Sequence, residues 1–126
     1  MKAKFYVCRH CGNLIGMIHN AGVPMSCCGE KMTALVPNTT DAAGEKHLPA
    51  VTVKDGVLHV NVGSVNHPML PEHFIEWVYV ETENGGRRKA LRPGDEPSVS
   101  FCPDGDKAVA VYAYCNLHGL WMTELS

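Results

Sequence analysis

Four of the six cysteines fall within the first 28 residues, as Cys8-Arg9-His10-Cys11-Gly12 and Cys27-Cys28. Two residues between Cys8 and Cys11 let both sulfurs reach one ion, and Gly12 permits the turn that aims backbone N–H groups at sulfur. Four thiolates suit a tetrahedral zinc or iron site. The stretch is rich in glycine (Gly12, Gly16, Gly22, Gly29) and poor in periodic apolar pattern. A module of about 36 residues cannot bury enough surface to fold alone and needs a metal or a partner. Neighbouring side chains in an extended segment point apart, so directing both Cys27 and Cys28 at one ion strains the loop. Spacing leaves zinc and iron both open and leans to iron.

The rest of the composition narrows the class. The chain has 126 residues, a formal net charge of −2 and 19% charged residues, so no basic excess points to nucleic acid and no charge block to a membrane surface. No apolar run approaches the length of a membrane span. The opening residues from Met1 to Cys8 contain no apolar core of a secretory signal. Six cysteines without an export signal point to metal ligation rather than disulfides, and to a cytoplasmic protein.

Beyond residue 44 the pattern is of strands. Val51-Thr52-Val53 and Val57-Leu58-His59-Val60-Asn61-Val62 flank Lys54-Asp55-Gly56, and an Asp-Gly between two valine-rich runs signals a hairpin. Phe74–Val80, Arg88–Leu91, Pro97–Phe101 and Ala108–Tyr114 are further strands, the last being the final clear one, and turn residues recur at the spacing of a sandwich. No stretch carries a helical stripe with caps. The expected architecture is mainly β: a metal module over residues 1–36, a linker over 37–44 and an antiparallel β-sandwich over 45–126.

A second set of ligand-type residues is dispersed. His47, His67, His73, Cys115 and His118 all lie at strand ends or in loops, where a sandwich carries its sites. Four imidazoles and one thiolate exceed the four ligands of structural zinc. They suit an octahedral ion with one position open to a small ligand. A thiolate opposite that position pushes electron density onto whatever binds there.

Taken in order, Cys8-x-x-Cys11, Cys27-Cys28, Glu45-Lys46-His47-x-Pro49, Gly63-Ser64-Val65-x-His67-Pro68-Met69, Glu72-His73-x-Ile75-x-Trp77 and Tyr114-Cys115-Asn116-Leu117-His118-Gly119 closely resemble desulfoferrodoxin, the two-iron class of superoxide reductase. The match spans nearly the whole chain, and one-iron, neelaredoxin-like relatives lack the full N-terminal cysteine set. The resemblance implies a desulforedoxin- or rubredoxin-like iron held by Cys8, Cys11, Cys27 and Cys28. It implies a second iron with His47, His67, His73 and His118 in its equatorial plane and Cys115 axial. It also implies reduction of superoxide to hydrogen peroxide without release of dioxygen. Lys46 would attract the anion and help supply a proton through water, and Glu45 would occupy the sixth position in the oxidised state. Rubredoxin or a similar donor would re-reduce the iron, and the fold would be a small module followed by an immunoglobulin-like sandwich, assembled as a homodimer.

Several residues read more plainly. Cys102 is a buried small residue, His59 a solvent-facing strand residue, and His10 and His19 turn or loop residues. Trp77, Trp121 and Met122 are core or site-wall residues, and Arg87-Arg88-Lys89 a solvated face, with a donor-docking role as the alternative. Two other classes compete. Cys115, His118 and Met122 resemble a blue-copper ligand loop, which would make the protein an electron carrier. A zinc-stabilised module fused to a binding sandwich is the other. Metal content separates all three.

Overall fold

The computed structural model describes residues 3–125; Met1, Lys2 and Ser126, at the ends of the expected module and sandwich, lie outside the described residues. The chain divides into two compact units, Met1–Val36 and Pro37–Ser126.

In the first unit, β1 (Lys4–Val7) lies between β2 (Leu14–Met17) and β5 (Thr33–Ala34), all antiparallel. A second ribbon pairs β3 (Ser26–Cys27) with β4 (Glu30–Lys31). The sequence reading assigned no strands here, because elements of two to four residues are too short to show an alternating pattern. Among the described residues, Phe5, Val7 and Cys8 are the buried apolar ones of this unit, whereas Ile18 is 96% exposed and Val23 71%. So small an apolar core leaves the unit dependent on its cysteines.

The second unit begins with a single turn of helix, α1 (Gly44–His47), followed by β6 (Pro49–Lys54), β7 (Val57–Val62), β8 (Ile75–Thr82), β9 (Gly85–Ala90), β10 (Ser98–Phe101), β11 (Ala108–Cys115) and β12 (Gly119–Glu124). One sheet has the order β10-β7-β6 and the other β12-β11-β8-β9, with every neighbour antiparallel. Leu58, Val60, Val62, Val99 and Phe101 of the first sheet pack against Ile75, Val78, Val80, Val111, Ala113 and Cys115 of the second. Burying each valine or leucine contributes about 1.5–3 kcal/mol before the entropy of ordering it. This is the two-sheet sandwich that the alternation implied.

Local chemistry explains the connections. Asp55 (φ 53°) and Gly56 (φ 76°) both sit in the left-handed region, as the primed turn of a two-residue hairpin requires, and Lys54 pairs with Val57 across it. β9 starts at Gly85 instead of Arg88, because Gly85 and Gly86 are extended and pair with Thr82 and Glu81. A Cβ on Gly86 would collide with the Tyr79 ring, so only glycine admits that ring at this place. β12 went unforeseen because Leu120-Trp121-Met122 is apolar without alternation; it pairs with β11 from Cys115↔Gly119 to Ala110↔Glu124. The segment read as a linker holds to that strand: Asn38 donates from its backbone N to Leu120 O (3.0 Å) and exchanges side-chain bonds with Met122 (2.9 and 3.0 Å).

Candidate metal centres

The sulfurs of Cys8, Cys11, Cys27 and Cys28 all lie within 4.8 Å of one another. Cys8 directly follows β1 and Cys11 lies within the turn, where Gly12 takes φ 84° and Gly12 N donates to Cys8 O (2.9 Å). The backbone N–H of Cys11 points at Cys8 Sγ (3.5 Å) and that of Asn13 at Cys11 Sγ (3.4 Å). The difficulty of adjacent cysteines is resolved by backbone. Cys28 itself adopts φ 54°, followed by Gly29 at φ 77°, so its side chain swings back toward the side that Cys27 faces. The Sγ separations of 3.6 Å (Cys11–Cys27) and 4.0 Å (Cys27–Cys28) bracket the roughly 3.8 Å edge of a tetrahedron with metal–sulfur bonds of about 2.3 Å. Without a cation four thiolates repel. The N–H of Cys11 draws the Cys8 thiol down to about 6, while the neighbouring sulfurs, Cys11 first, push Cys28 up to about 12 and Cys27 upward. A bound cation reverses that order and deprotonates all four.

The second group is His47, His67, His73, Cys115 and His118, again with all ligand atoms within 4.8 Å. These residues converge from one end of the sandwich. His47 ends α1 just before β6, His67 and His73 follow β7 and precede β8, and Cys115 and His118 bracket the β11–β12 hairpin. A register shift opposes Cys115 to Ile75 where Tyr114 opposes Trp77, a bulge that re-aims the strand end beside the site.

The four rings form a square. Successive centroids are 4.6 Å apart for His47–His67, 4.6 Å for His67–His73, 5.1 Å for His73–His118 and 4.9 Å for His118–His47, with each ring at 74–84° to the next. The diagonal His47–His73 is 6.4 Å. His47 Nε2 stands 3.2 Å from His67 Nε2 and 3.1 Å from His118 Nδ1. Nitrogens at right angles about an ion some 2.1 Å away are about 3.0 Å apart, so His47 stands at neighbouring-ligand spacing from both His67 and His118. Cys115 Sγ, wholly buried, lies 3.8 Å from His118 Nδ1.

Protons are placed by neighbours. His47 Nδ1 bonds Ala43 O and His67 Nδ1 bonds Pro68 O, both at 2.7 Å, which makes each Nδ1 the donor and leaves each Nε2 a bare lone pair facing inward. His73 Nε2 is buried without a hydrogen-bond partner. Burial pushes His47 and His73 below the ordinary imidazole value and His67 down to about 4, so all three are neutral at pH 7. Burial raises the Cys115 thiol, while the backbone N–H groups of Leu117 and His118 act the other way. A buried ring nitrogen with no hydrogen-bond partner, beside neutral imidazoles and a thiol, fits a cation bound by imidazole and sulfur.

Lys46 and Glu45 are exposed on α1. Lys46 directly precedes His47 on α1, and its charge acts to lower both His47 and His73. The Glu45 carboxylate is not part of the ligand group; the Glu45 carbonyl instead accepts from Val65 N (2.8 Å) and Ser64 Oγ (3.3 Å). Met122 pairs with Tyr112, on the β11 face opposite to Cys115 by the period of two, so the blue-copper ligand set is not assembled. Trp121 does wall the site, its ring 4.8 Å from His47 and its Nε1 donating to His118 O (3.1 Å). Cys102 is exposed, which corrects the expectation of burial: it directly follows β10 and lies outside the core. His10 meets Glu30 at 3.0 Å rather than a metal. The sequence reading missed the carbonyls of Ala43 and Pro68, which carry no side-chain signal. It also missed Asn116, whose place between Cys115 and His118 was the available hint.

Together these features define a two-centre metalloprotein: a four-cysteine module and a β-sandwich carrying four histidines and one cysteine at one end. The desulfoferrodoxin family model matches residues 39–124. The chain is 43% identical over 121 residues to desulfoferrodoxin of Nitratidesulfovibrio vulgaris, covering 96% of this chain and 95% of that one. It superposes on the crystal structure of the superoxide reductase from Treponema pallidum with a TM-score of 0.81 at 38% identity, covering 98% of this chain and all of that one. Against the 1Fe superoxide reductase from Giardia intestinalis the TM-score is 0.53 at 29% identity, covering 65% of this chain and 98% of that one. The chain belongs to the desulfoferrodoxin family.

Proposed function

We propose that the protein is a superoxide reductase of the two-iron kind. The observation that carries this reading is the square of four imidazoles set beside one buried cysteine sulfur, a set of five donors that leaves a sixth position for a small anion. We assign His47, His67, His73, His118 and Cys115 to one iron and Cys8, Cys11, Cys27 and Cys28 to the other, with residues 1–36 and 45–126 as the functional modules joined through 37–44. Held by these residues, iron would supply the chemistry of a one-electron reductant: one electron and two protons convert superoxide to hydrogen peroxide without dioxygen.

The chain's own residues do the rest. The rings of His47 and His67, pinned by Ala43 O and Pro68 O, hold fixed directions, so little reorganisation accompanies the change of charge. Cys115, wholly buried among apolar neighbours, keeps its sulfur from water. Lys46 offers the cationic approach for an anion that a net charge of −2 does not otherwise attract, and relays a proton through water. Glu45, exposed on the same turn, would supply a carboxylate to the remaining position of an oxidised iron held there. Rubredoxin or a similar one-electron donor restores the ferrous state, and the protein works as a homodimer. All six cysteines are free thiols, which suits a reducing compartment, and we place the enzyme in the cytoplasm. Among the described residues no helix is long and apolar enough to cross a membrane.

The test is rapid mixing of the reduced, iron-loaded protein with superoxide while dioxygen and peroxide are measured. One peroxide per iron oxidised, with no dioxygen, is expected. Dioxygen at half the superoxide consumed would mean dismutation and overturn the reading.

A further inference from the structure

We propose that Asn116 is a positioning residue that locks the turn carrying His73 to the hairpin carrying Cys115 and His118, so that the fifth ligand keeps its direction relative to the square of rings. The inference rests on reading these five residues as one metal centre. Asn116 follows Cys115 directly and precedes His118 by two residues. Its carboxamide spans His73 from both sides: Oδ1 accepts from Phe74 N at 2.9 Å and Nδ2 donates to Glu72 O at 3.0 Å. Its backbone N donates to Phe74 O at 3.2 Å, completing a strand-like bridge made partly of side chain.

Asparagine suits this task because one planar group offers both a donor and an acceptor. His47 and His67 are each aimed by a carbonyl on Nδ1, whereas His73 Nε2 is buried with no partner. The backbone of His73 is tied locally to Leu70 by reciprocal bonds of 2.9 and 3.0 Å, which fix the turn but not its distance from Cys115. The β8–β11 ladder reaches only to the Cys115↔Ile75 pair, and Asn116 extends the tie past it to Glu72 and Phe74, the two residues that flank His73. Hydrogen bonds made directly to a ligating side chain are worth about 10–100-fold in metal affinity; these bonds act one backbone step from His73, where the lower end of that range applies.

The test uses the full-length protein with Asn116→Asp and Asn116→Ala, and with Val80→Ala as a control that opens a cavity in the sandwich core away from the ligands. Asp keeps the acceptor for Phe74 N but sets an oxygen against Glu72 O. In metal-free protein titrated with Co(II), both Asn116 variants should bind about tenfold more weakly at the sandwich centre, with the four-cysteine centre unchanged as internal reference. Loaded with iron, they should show a displaced sulfur-to-iron band. Val80→Ala should lower the thermal midpoint yet bind Co(II) within about twofold of wild type. Wild-type affinity and band position in the Asn116 variants would overturn the proposal, as would an equal loss in Val80→Ala. If Asn116→Ala does not fold, Asn116→Asp, of the same size, decides. Wild-type protein that binds no Co(II) through histidine and cysteine would overturn the site assignment itself, a result separate from equal binding by wild type and variants.

Discussion

His47 Nε2 and His67 Nε2 stand 3.2 Å apart with their rings at 81°, each ring having committed its proton to a carbonyl on the far side. Two lone pairs at that distance cannot satisfy one another. A cation between them makes both lone pairs bonding, which is what neutral imidazoles at this spacing offer.

The same burial sets the response of metal-free protein to acid. The folded value of His67, about 4, lies below its ordinary 6.5, so between these the unfolded chain binds more protons. Stability is thus fully present above about pH 6.5 and is lost as pH falls toward 4. His47 and His73, lowered in the same direction, add to the slope. Thermal midpoints of metal-stripped protein across this range should decline with acid; a flat profile would show that these rings are not buried neutral.

The two centres should be separable, since their ligands belong to different units. Cys28→Ser removes the sulfur that the left-handed backbone at φ 54° brings to the other three, and should abolish or distort the N-terminal centre while leaving the histidine centre spectrally intact. Cys115→Ser should do the reverse, weakening iron binding in the sandwich and removing its sulfur-to-iron band. Cys102→Ala, at an exposed position outside both groups, should change neither. Loss of both centres in a folded Cys28→Ser protein would contradict the separation.

Lys46→Ala should slow the second-order reaction with superoxide about tenfold and flatten its dependence on ionic strength, because the charge that acts on His47 and His73 acts also on an arriving anion. Glu45→Ala should leave that first step nearly unchanged and alter the spectrum of the oxidised centre. Equal rates and equal salt slopes for Lys46→Ala and wild type, at full iron occupancy, would remove the steering role.

Gly63→Ala should disturb the site without touching a ligand. A Cβ there would lie 2.6 Å from Glu45 O and 2.9 Å from Leu48 O, on either side of His47. The backbone of α1 has to move to admit it, at a cost of about 1–3 kcal/mol. A lower thermal midpoint with weakened iron binding is the expected pair of results, and wild-type values for both would show that the turn yields freely.

What local chemistry writes into the chain was legible without coordinates. The two-residue knuckle at Cys8 and Cys11, the Asp55-Gly56 hairpin and the alternating valines of β7 each depend on neighbours a few positions away, and so they show in a linear pattern. The ordered string of motifs from Cys8 to His118 also pointed to the family. Other features depend on residues distant in sequence or on backbone alone. Cys28 resolves the strain of adjacent cysteines through a left-handed φ that cysteine rarely adopts, and composition carries no mark of it. The order of the rings, His47 to His67 to His73 to His118, follows from which loops meet at the end of a closed sandwich. Carbonyls such as Ala43 O and Pro68 O belong to every residue type, so their choice as partners of His47 and His67 is decided only when packing brings them within 2.7 Å. Exposure of Cys102 and the hold of Asn116 on His73 are of the same kind: residue type states what a group can do, and the tertiary contacts select which of those things it does.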